Sequence, residues 1–198
     1  MKKENILLYG GSFDPIHLGH EEVIKSVHKE LNLNRIILVP NFQSPLKDKV
    51  FLTPSDRLLC IEQVLKRFPY VEISTYEIKK EAISYSYETV KFFKELYANS
   101  NIIFLIGADN WENRSKWKNF DFILRKSHVL IVGRPGVTIQ QFNEYPYEPE
   151  SFGEPGGITY FEGPMIDISS TQVKEIVIQD SNLSNVLHPD IISIVKNK

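Results

Sequence analysis

Residues 9–20 read Tyr9-Gly10-Gly11-Ser12-Phe13-Asp14-Pro15-Ile16-His17-Leu18-Gly19-His20. They follow the apolar run Ile6–Leu8, which predicts a short buried strand, and they lead into a helical pattern. Two glycines and a hydroxyl stand at the end of the strand, and two histidines stand at the start of the helix. A strand, a turn of small residues and a helix N-terminus together form a site for phosphate, because backbone N–H groups point out of the turn.

The spacing of the two histidines strengthens this interpretation. On a helical turn, His17 and His20 lie on one side, with their Cβ atoms about 5–6 Å apart. Imidazoles there can donate hydrogen bonds or carry charge while negative charge moves between phosphates. A transition metal is the competing interpretation, but zinc needs further ligands, and Cys60 lies in an apolar helical pattern. We therefore expect no metal site built by protein ligands.

Gly10-Gly11-Ser12 matches neither of the common phosphate fingerprints. It lacks the spacing of G-x-G-x-x-G, and no Gly-Lys-Ser/Thr follows, as a P-loop requires. Taken alone, the glycine pair indicates only a tight turn. The histidines and the strand–turn–helix context are what favour a phosphate site.

Length and composition favour one globular domain, residues 1–198. The net charge of −2 argues against non-specific binding to nucleic acid. No apolar run is long enough for a membrane span or for a signal-peptide core, and one cysteine excludes an internal disulfide. We expect a cytoplasmic protein that binds neither nucleic acid nor a membrane, and a homo-oligomer is compatible with the sequence.

Strand and helix patterns alternate along the chain. The predicted strands are Ile6–Leu8, Arg35–Pro40, Val71–Ile78, Asn101–Gly107, His128–Gly133 and Ile158–Phe161. Helices are predicted around the apolar face formed by Val23, Ile24, Val27 and Leu31, from Thr53–Asp56 onward, over Ser86–Ala98 and Trp117–Arg125, and from Ser170 and Pro189. Residues 136–157 predict a long, mostly irregular surface segment with one short helix near Ile139–Asn143.

Repeated strand–helix units with nearly continuous apolar strands indicate an α/β fold, a Rossmann-like doubly wound parallel sheet. Ligands bind such sheets beyond the carboxyl ends of the strands. The residues that follow the predicted strands are suited to ligand chemistry. They are Gly10–His20, Asn41–Lys47, Ala108–Asn110 and Arg134–Gly136.

The segment from Gly10 to His20 resembles the first signature of the nucleotidylyltransferases that carry an H-x-G-H motif. Within that superfamily the chain is similar to the bacterial nicotinate-nucleotide adenylyltransferases, which make deamido-NAD from nicotinate mononucleotide and ATP. The other segments that carry the resemblance are Asn41 with Ser44–Lys47, Ser84–Thr89, Ile106–Asp109 with Trp117, Gly133–Gly136 and Ile168–Lys174. The first and last motifs are specific to the superfamily, whereas the middle ones favour the nicotinate enzymes.

The resemblance implies an in-line transfer of the adenylyl group, with Mg²⁺ accompanying ATP and with ATP and nicotinate mononucleotide as partners. The implied catalytic residues are His17, His20 and Lys47. The implied ATP-binding residues are Gly10, Gly11, Ser12, Phe13, His17, His20, Gly107, Asp109, Arg134, Ser169, Ser170, Thr171 and Lys174. The implied substrate-binding residues are Ser12, Asn41, Lys47, Tyr85, Ser86, Asp109, Trp117 and Lys118.

For two of these sites the residues themselves also allow a plainer structural interpretation. Ser169, Ser170 and Thr171 open a predicted helix, where hydroxyls and unpaired N–H groups suit an anion, although an ordinary N-cap is the plainer interpretation. Trp117 fits a buried core position by pattern alone. The resemblance implies instead that Trp117 stacks on the pyridine ring, with backbone amides near Ser86, Tyr87 and Lys118 holding the carboxylate.

The chain departs from the family pattern at two positions. Lys174 stands where the family usually has arginine, so the charge is kept but the bidentate fork is lost. Leu46 replaces the family's histidine and leaves Lys47 as the only cation of its loop.

Other interpretations remain open at this stage. One is an adenylyltransferase for nicotinamide mononucleotide or pantetheine phosphate, and another is a non-catalytic nucleotide-binding protein of the same fold. Class I aminoacyl-tRNA synthetases share the H-x-G-H motif but need a longer chain and a Lys-Met-Ser-Lys-Ser-like loop, which is absent.

Overall fold

A computed structural model describes residues 3–46, 50–133, 146–164, 166, 168–179 and 182–197. These residues form a six-stranded sheet. The strands are β1 (Asn5–Gly11), β2 (Arg35–Pro40), β3 (Val71–Ile73), β4 (Asn101–Gly107), β5 (His128–Val132) and β6 (Ile158–Phe161). Their order in the sheet is β3-β2-β1-β4-β5-β6, and every neighbouring pair is parallel. The predicted parallel sheet is therefore confirmed.

Helices cover both faces of the sheet. They are α1 (Leu18–Glu30), α2 (Pro54–Leu65), α3 (Tyr76–Lys79), α4 (Ser86–Leu96), α5 (Ala108–Glu112), α6 (Phe120–Lys126), α7 (Ser170–Ile178) and α8 (Pro189–Lys196), with a 3₁₀ turn at Arg114–Lys116. The start of α2 follows the prediction, since Pro54 occupies its first position and the Asp56 N–H donates to Thr53 Oγ1 at 3.2 Å. In the described residues, every helix is too short or too polar to span a bilayer.

Two apolar layers sandwich the sheet, because successive side chains of a strand point to opposite faces. Leu7 packs in the layer that contains α1, α2, α7 and α8, whereas Leu8 packs in the layer that contains α4, α5 and α6. Both leucines are 0% exposed. A strand buried on both faces must be apolar along its whole length, which explains the continuous runs seen in the sequence.

The prediction of a strand over Val71–Ile78 is wrong in its second half. The strand ends at Ile73, and Tyr76–Lys79 form the helical turn α3. The cause is tertiary: β3 is an edge strand paired only with β2, and α3 turns Glu77 inward to accept a hydrogen bond from the Thr89 hydroxyl. Alternation in sequence could not distinguish this turn from a longer edge strand.

The helix predicted over Trp117–Arg125 begins later, at Phe120. Trp117 is extended, at φ −85° and ψ 130°, and Asn119 adopts the left-handed conformation, at φ 53°, directly before α6. Asparagine tolerates that conformation better than most residues. The segment from Trp117 to Asn119 is therefore a connection that crosses the edge of the sheet, which matters for the site described below.

The predicted surface segment 136–157 is only partly described. The short helix expected near residues 139–143 lies outside the described residues. From residue 146 onward the chain is irregular, as expected, yet Phe152 is buried, and its ring centroid lies 4.9 Å from that of His128 and 5.1 Å from that of Tyr147. This part of the segment therefore packs into the core and is not wholly on the surface.

Candidate active site

A cleft of about 710 Å³ opens at the carboxyl ends of β1, β2, β4 and β5. The strand order reverses between β1 and β4, which is where open parallel sheets bind ligands. The predicted site residues that line the cleft are Gly10, Gly11, Ser12, Phe13, His17, His20, Asn41, Tyr85, Ser86, Gly107, Asp109, Trp117, Lys118, Ser169, Ser170 and Thr171. Its volume suits a ligand the size of a nucleotide.

Three predicted site residues are missing from this set, for two different reasons. Lys47 and Arg134 lie outside the described residues. Lys174 is described but does not line the cleft.

The two histidine rings lie side by side at the start of α1, with their planes tilted by 36°. Their ring centroids lie 3.7 Å apart, and the exposed fractions of His17 and His20 are 2% and 9%. The backbone N–H of His17 donates to His20 Nδ1 at 3.2 Å. Because Nδ1 accepts this bond, a neutral His20 carries its proton on Nε2, so the opposite side of the ring is a hydrogen-bond donor.

Gly19 is required by the packing of this pair. A Cβ atom at position 19 would lie 3.1 Å from Cε1 and Nδ1 of the His17 ring and 3.4 Å from the Ile168 carbonyl oxygen. Such contacts are tighter than packed interiors normally hold. The glycine between the histidines therefore leaves room for the His17 ring.

The turn that precedes the histidines is shaped by Phe13 and Asp14. Phe13 has a positive φ of 46°, and its ring centroid lies 5.0 Å from that of His20. The Asp14 carboxylate accepts from the backbone N–H groups of Phe51 and Leu52 at 2.8 and 2.7 Å. Asp14 thus ties the turn to the chain segment that leads into α2.

Lys174 pairs with this same carboxylate. Its Nζ lies 2.7 Å from Asp14 Oδ2, which is why the side chain is not on the cleft wall. The sequence-based prediction placed Lys174 on a phosphate because it follows the hydroxyls by one helical turn. Asp14 is quoted in the first motif, but nothing in the sequence marks it as the partner of a lysine 160 residues away.

Sequence reasoning also missed Arg57. This side chain on α2 is 0% exposed and donates from Nη1 to the carbonyl oxygens of Ser12 and Asn41, at 2.8 and 2.7 Å, and from Nη2 to that of Phe42, at 2.9 Å. Burial lowers the pKa of Arg57, and the nearby Asp14 carboxylate partly offsets this. The available signal was an arginine one helical turn before the buried Ile61, on the apolar face of α2.

The start of α7 is an N-cap, as the plainer interpretation of the sequence predicts. Ser169 and Gln172 form a capping box, in which Gln172 N–H donates to Ser169 Oγ at 3.2 Å and Ser169 N–H donates to Gln172 Oε1 at 2.6 Å. The Ser169 side chain is therefore the N-cap. Ser170 and Thr171 follow it and line the cleft, and the Ser170 hydroxyl donates to the Pro15 carbonyl oxygen at 3.4 Å. Their role in binding an anion stays a prediction.

A second wall of the cleft is built around the start of α4. Ser84 Oγ accepts from Phe42 N–H at 3.1 Å, and Ser84 N–H donates to the Gln43 carbonyl oxygen at 2.9 Å, so the chain after β2 and the chain before α4 are joined. Glu77, which sequence reasoning missed, lines the cleft beneath them. Burial raises the pKa of Glu77, and hydrogen bonds from Thr89 and Ser84 partly offset this rise.

Trp117 and Lys118 complete this wall. The Trp117 ring packs edge-on against Phe104 and Phe120, with centroid distances of 6.2 and 6.0 Å. The Lys118 ammonium lies over the Tyr85 ring, with Nζ 4.4 Å from its centroid. Trp117 therefore packs partly against aromatic neighbours and also lines the cleft, and its stacking on a pyridine ring stays a prediction.

The remaining polar residues of the cleft follow strands β1, β2 and β4. Asn41 Nδ2 donates to Ser12 Oγ at 3.2 Å, joining the ends of β1 and β2. Asp109 lies in the first turn of α5, directly after β4. Across the described ranges, His, Cys, Asp and Glu side chains form no group of three or more that could hold a metal ion.

The chain is similar in sequence to a known family and to named proteins. Residues 8–176 match the family described as cytidylyltransferase-like. The chain is 36% identical over 168 residues to a "Probable nicotinate-nucleotide adenylyltransferase" of Aquifex aeolicus, covering 84% of this chain and 99% of that protein. It is 32% identical over 199 residues to the protein of the same name from Clostridium tetani, covering 99% of this chain and 97% of that protein.

A solved structure gives the same fold. The Plasmodium falciparum nicotinic acid mononucleotide adenylyltransferase complexed with NaAD superposes with a TM-score of 0.80 at 18% identity, covering 98% of this chain and 95% of that one. At that identity the likeness establishes the doubly wound fold alone. The family match and the two sequence relatives show that the chain belongs to the cytidylyltransferase-like family and, within it, to the nicotinate-nucleotide adenylyltransferases.

Proposed function

We propose that this protein transfers the adenylyl group of ATP to nicotinate mononucleotide, giving deamido-NAD and pyrophosphate. The observation that carries the proposal is the buried pair His17 and His20 at the start of α1, in a cleft at the reversal point of the sheet. The names of the sequence relatives support the choice of substrate.

The reaction is an in-line displacement at phosphorus. An oxygen of the mononucleotide 5′-phosphate forms a bond to the α-phosphorus of ATP, and the bond from that phosphorus to the α,β-bridging oxygen breaks. Pyrophosphate leaves with the electron pair, and no protein atom becomes covalently attached. Catalysis then rests on positioning and on stabilisation of charge at the phosphorus.

His17 and His20 have the geometry for that stabilisation. Each donor that faces the α-phosphate strengthens as charge develops on its oxygens. The Nε2–H of His20 is such a donor in the neutral ring and remains one when the ring is protonated. Gly10–Phe13, Gly107 and Asp109 would form the floor and ribose side of the ATP site.

The remaining contacts are assigned from the resemblance, and most of their residues line the cleft. Ser169–Thr171 at the start of α7 would receive the β- and γ-phosphates, with Lys47, Arg134 and Lys174 as the cations that balance their charge. Lys174 would have to exchange Asp14 for a phosphate oxygen. Asn41 and Ser12 would hold the mononucleotide, and Trp117 with the amides near Ser86, Tyr87 and Lys118 would hold its pyridine ring and carboxylate.

Mg²⁺ fits this arrangement as a partner of ATP. Because the described residues provide no cluster of protein ligands, phosphate oxygens and water would carry the ion. When bound, it neutralises charge on the transferring phosphates. We place the enzyme in the cytoplasm as one domain and leave assembly into a homo-oligomer as part of the proposal.

A substrate panel tests the proposal. The protein is incubated with ATP, Mg²⁺ and one of three acceptors: nicotinate mononucleotide, nicotinamide mononucleotide or pantetheine phosphate. We expect pyrophosphate release with the first at the highest kcat/KM. Preference for another acceptor would overturn the substrate assignment, and ATP binding without release for any acceptor would favour a non-catalytic nucleotide-binding protein.

A variant of the histidine pair tests the mechanism. His20→Ala should fold normally and lose at least 100-fold in kcat, the scale set by loss of one stabilising donor. His28→Ala is the matched control, since His28 lies on the same helix but stacks on Tyr70 at 3.6 Å, away from the cleft. A folded His20→Ala variant with near-parental turnover would contradict the role given to this residue.

A further inference from the structure

Lys118 is held at the cleft in an unusual way for a lysine. Its ammonium lies on the faces of two tyrosines, 4.4 Å from the Tyr85 centroid and 5.9 Å from the Tyr87 centroid. Both rings belong to the start of α4, on the wall that also carries Ser86. An ammonium has three N–H donors, so one that rests on aromatic faces keeps donors for an anion.

The backbone holds Lys118 in this place. Trp117 is extended after the 3₁₀ turn, and Asn119 is left-handed before α6, so Lys118 lies at the middle of a short fixed connection. The neighbouring Trp117 ring is packed against Phe104 and Phe120. The backbone position of Lys118 is therefore set by its packed neighbours, although the lysine side chain itself is exposed.

No acidic residue of the described chain neutralises this charge by direct contact. Lys118 has no carboxylate within 4.0 Å among those residues, whereas Lys80 holds Glu88 in an ion pair. Glu88 also accepts from the Tyr87 hydroxyl at 3.0 Å. The hydrogen bond from Lys80 is the main cause that lowers the pKa of Glu88, and the charge of Lys118 adds to this effect at longer range. The direct contacts of Glu88 are with Lys80 and Tyr87.

Lys116 differs from Lys118 in this respect. It also lines the cleft, but its Nζ donates to Asn113 Oδ1 at 3.0 Å, on the 3₁₀ turn. Lys116 has the same charge, similar exposure and a position two residues away. It is therefore a natural control for any effect of Lys118.

We propose that the Lys118 side chain determines specificity for an acidic pyridine ring, adding a positive charge that favours the carboxylate of nicotinate mononucleotide over the neutral carboxamide of its analogue. This inference rests on the proposed function and adds a side-chain contribution to the backbone amides at the start of α4. The carboxylate would lie between the Trp117 ring, the Ser86 amide and the ammonium. The neutral amide gains nothing from the same charge.

The size of the effect follows from the exposure of the pair. Two unit charges about 4 Å apart in an aqueous setting change a binding ratio by about fivefold. Reversing the lysine to glutamate replaces attraction with repulsion, which squares the ratio to roughly 25-fold. Both effects should shrink as salt is raised, since exposed charges are screened.

The test measures kcat/KM by pyrophosphate release for nicotinate and nicotinamide mononucleotide at low and high salt. We expect Lys118→Met to lower the acid-to-amide ratio about fivefold, with most of the loss on the acid, and Lys118→Glu to lower it further. Lys118→Arg should keep the ratio, because guanidinium also stacks on tyrosine. Lys116→Met should keep it too.

The outcomes separate this inference from the proposed function. If the parent protein prefers nicotinate mononucleotide and Lys118→Met keeps the parental ratio, the inference is wrong while the function stands. An equal loss for both substrates would assign Lys118 a structural role and also overturn the inference. If the parent shows no release with either substrate, the proposed function itself fails.

Discussion

Replacing Arg57 with methionine should lower the free energy of unfolding more than the other arginine substitution considered below. Methionine fills much of the same volume, so the change removes charge and donors without opening a large cavity. The parental guanidinium is 0% exposed and holds the carbonyl oxygens of Ser12, Asn41 and Phe42 at 2.8, 2.7 and 2.9 Å. The variant leaves these acceptors without their donor.

The magnitude follows from those three contacts. A hydrogen bond to a charged group contributes about 1.5–3 kcal/mol, and breaking a buried ionic network typically costs about 3–5 kcal/mol. Because the carbonyls lie beside an open cleft, water can replace part of the loss, and we expect the free energy of unfolding to fall by about 3–5 kcal/mol rather than by the full sum. That is a large share of a typical domain's stability.

Urea unfolding followed by tryptophan fluorescence measures this change. Arg35→Met is the matched control, since Arg35 pairs with Glu72 at 2.7 Å on the surface, where such pairs contribute about 0–1 kcal/mol. Arg57→Lys should be intermediate, because one ammonium cannot reach all three carbonyls. A loss below about 1 kcal/mol for Arg57→Met would refute the reasoning.

The same variant should impair catalysis. Arg57 joins the chain after β1 to the chain after β2, and Ser12 and Asn41 both line the cleft. Misplacing such groups by about 1 Å can cost on the order of 100-fold in rate. We therefore expect Arg57→Met to lower kcat/KM at temperatures where it remains folded.

Two further predictions concern His128 and Gly19. Burial lowers the pKa of His128, whose Nε2 lies 2.9 Å from Thr159 Oγ1, so the unfolded chain takes up a proton that the folded chain resists. The buried neutral form of His128 therefore contributes fully to stability above the ordinary pKa of 6.5, and the free energy of unfolding decreases as the pH falls below that value. Urea midpoints measured from pH 8 to pH 5 should accordingly decline on the acid side. His128→Gln should flatten that decline, and an unchanged slope would contradict the assignment. Replacing glycine with alanine inside a helix normally stabilises the helix by about 1 kcal/mol. In Gly19→Ala, however, the new methyl group would lie 3.1 Å from the His17 ring, so we expect the ring to shift and kcat to fall by at least tenfold. Parental kcat in a folded Gly19→Ala variant would show that the ring tolerates a methyl group.

The buried parallel strands were predictable from local pattern. β2 and β4 begin and end at the residues predicted, because a strand covered on both faces needs an unbroken apolar run that ends where the cleft begins. The positions that follow those strands were predictable for the same reason. The rule that ligands bind at the carboxyl ends of parallel strands predicts that Asn41 and Asp109 share one cleft, and both line it.

The chain after β3 shows where local pattern fails. Val71–Ile78 alternates like a strand, yet Glu77 turns inward to meet Thr89, which lies on α4. The stabilising contact joins residues far enough apart that neither marks the other in sequence. An edge strand with one neighbour offers little competition to such a contact.

Features that follow from residue type were therefore open to prediction: the apolar strands, the glycine turn and the paired histidines. The reaction class came from the resemblance of that motif to a known family. The tertiary structure decided the pairings of charge. Arg57 is buried because three carbonyls lie around it, two of them 45 and 16 residues away in the chain, and Lys174 leaves the cleft wall because Asp14 reaches it across 160 residues. Charged side chains are costly to bury without partners, and only the folded chain determines where those partners are.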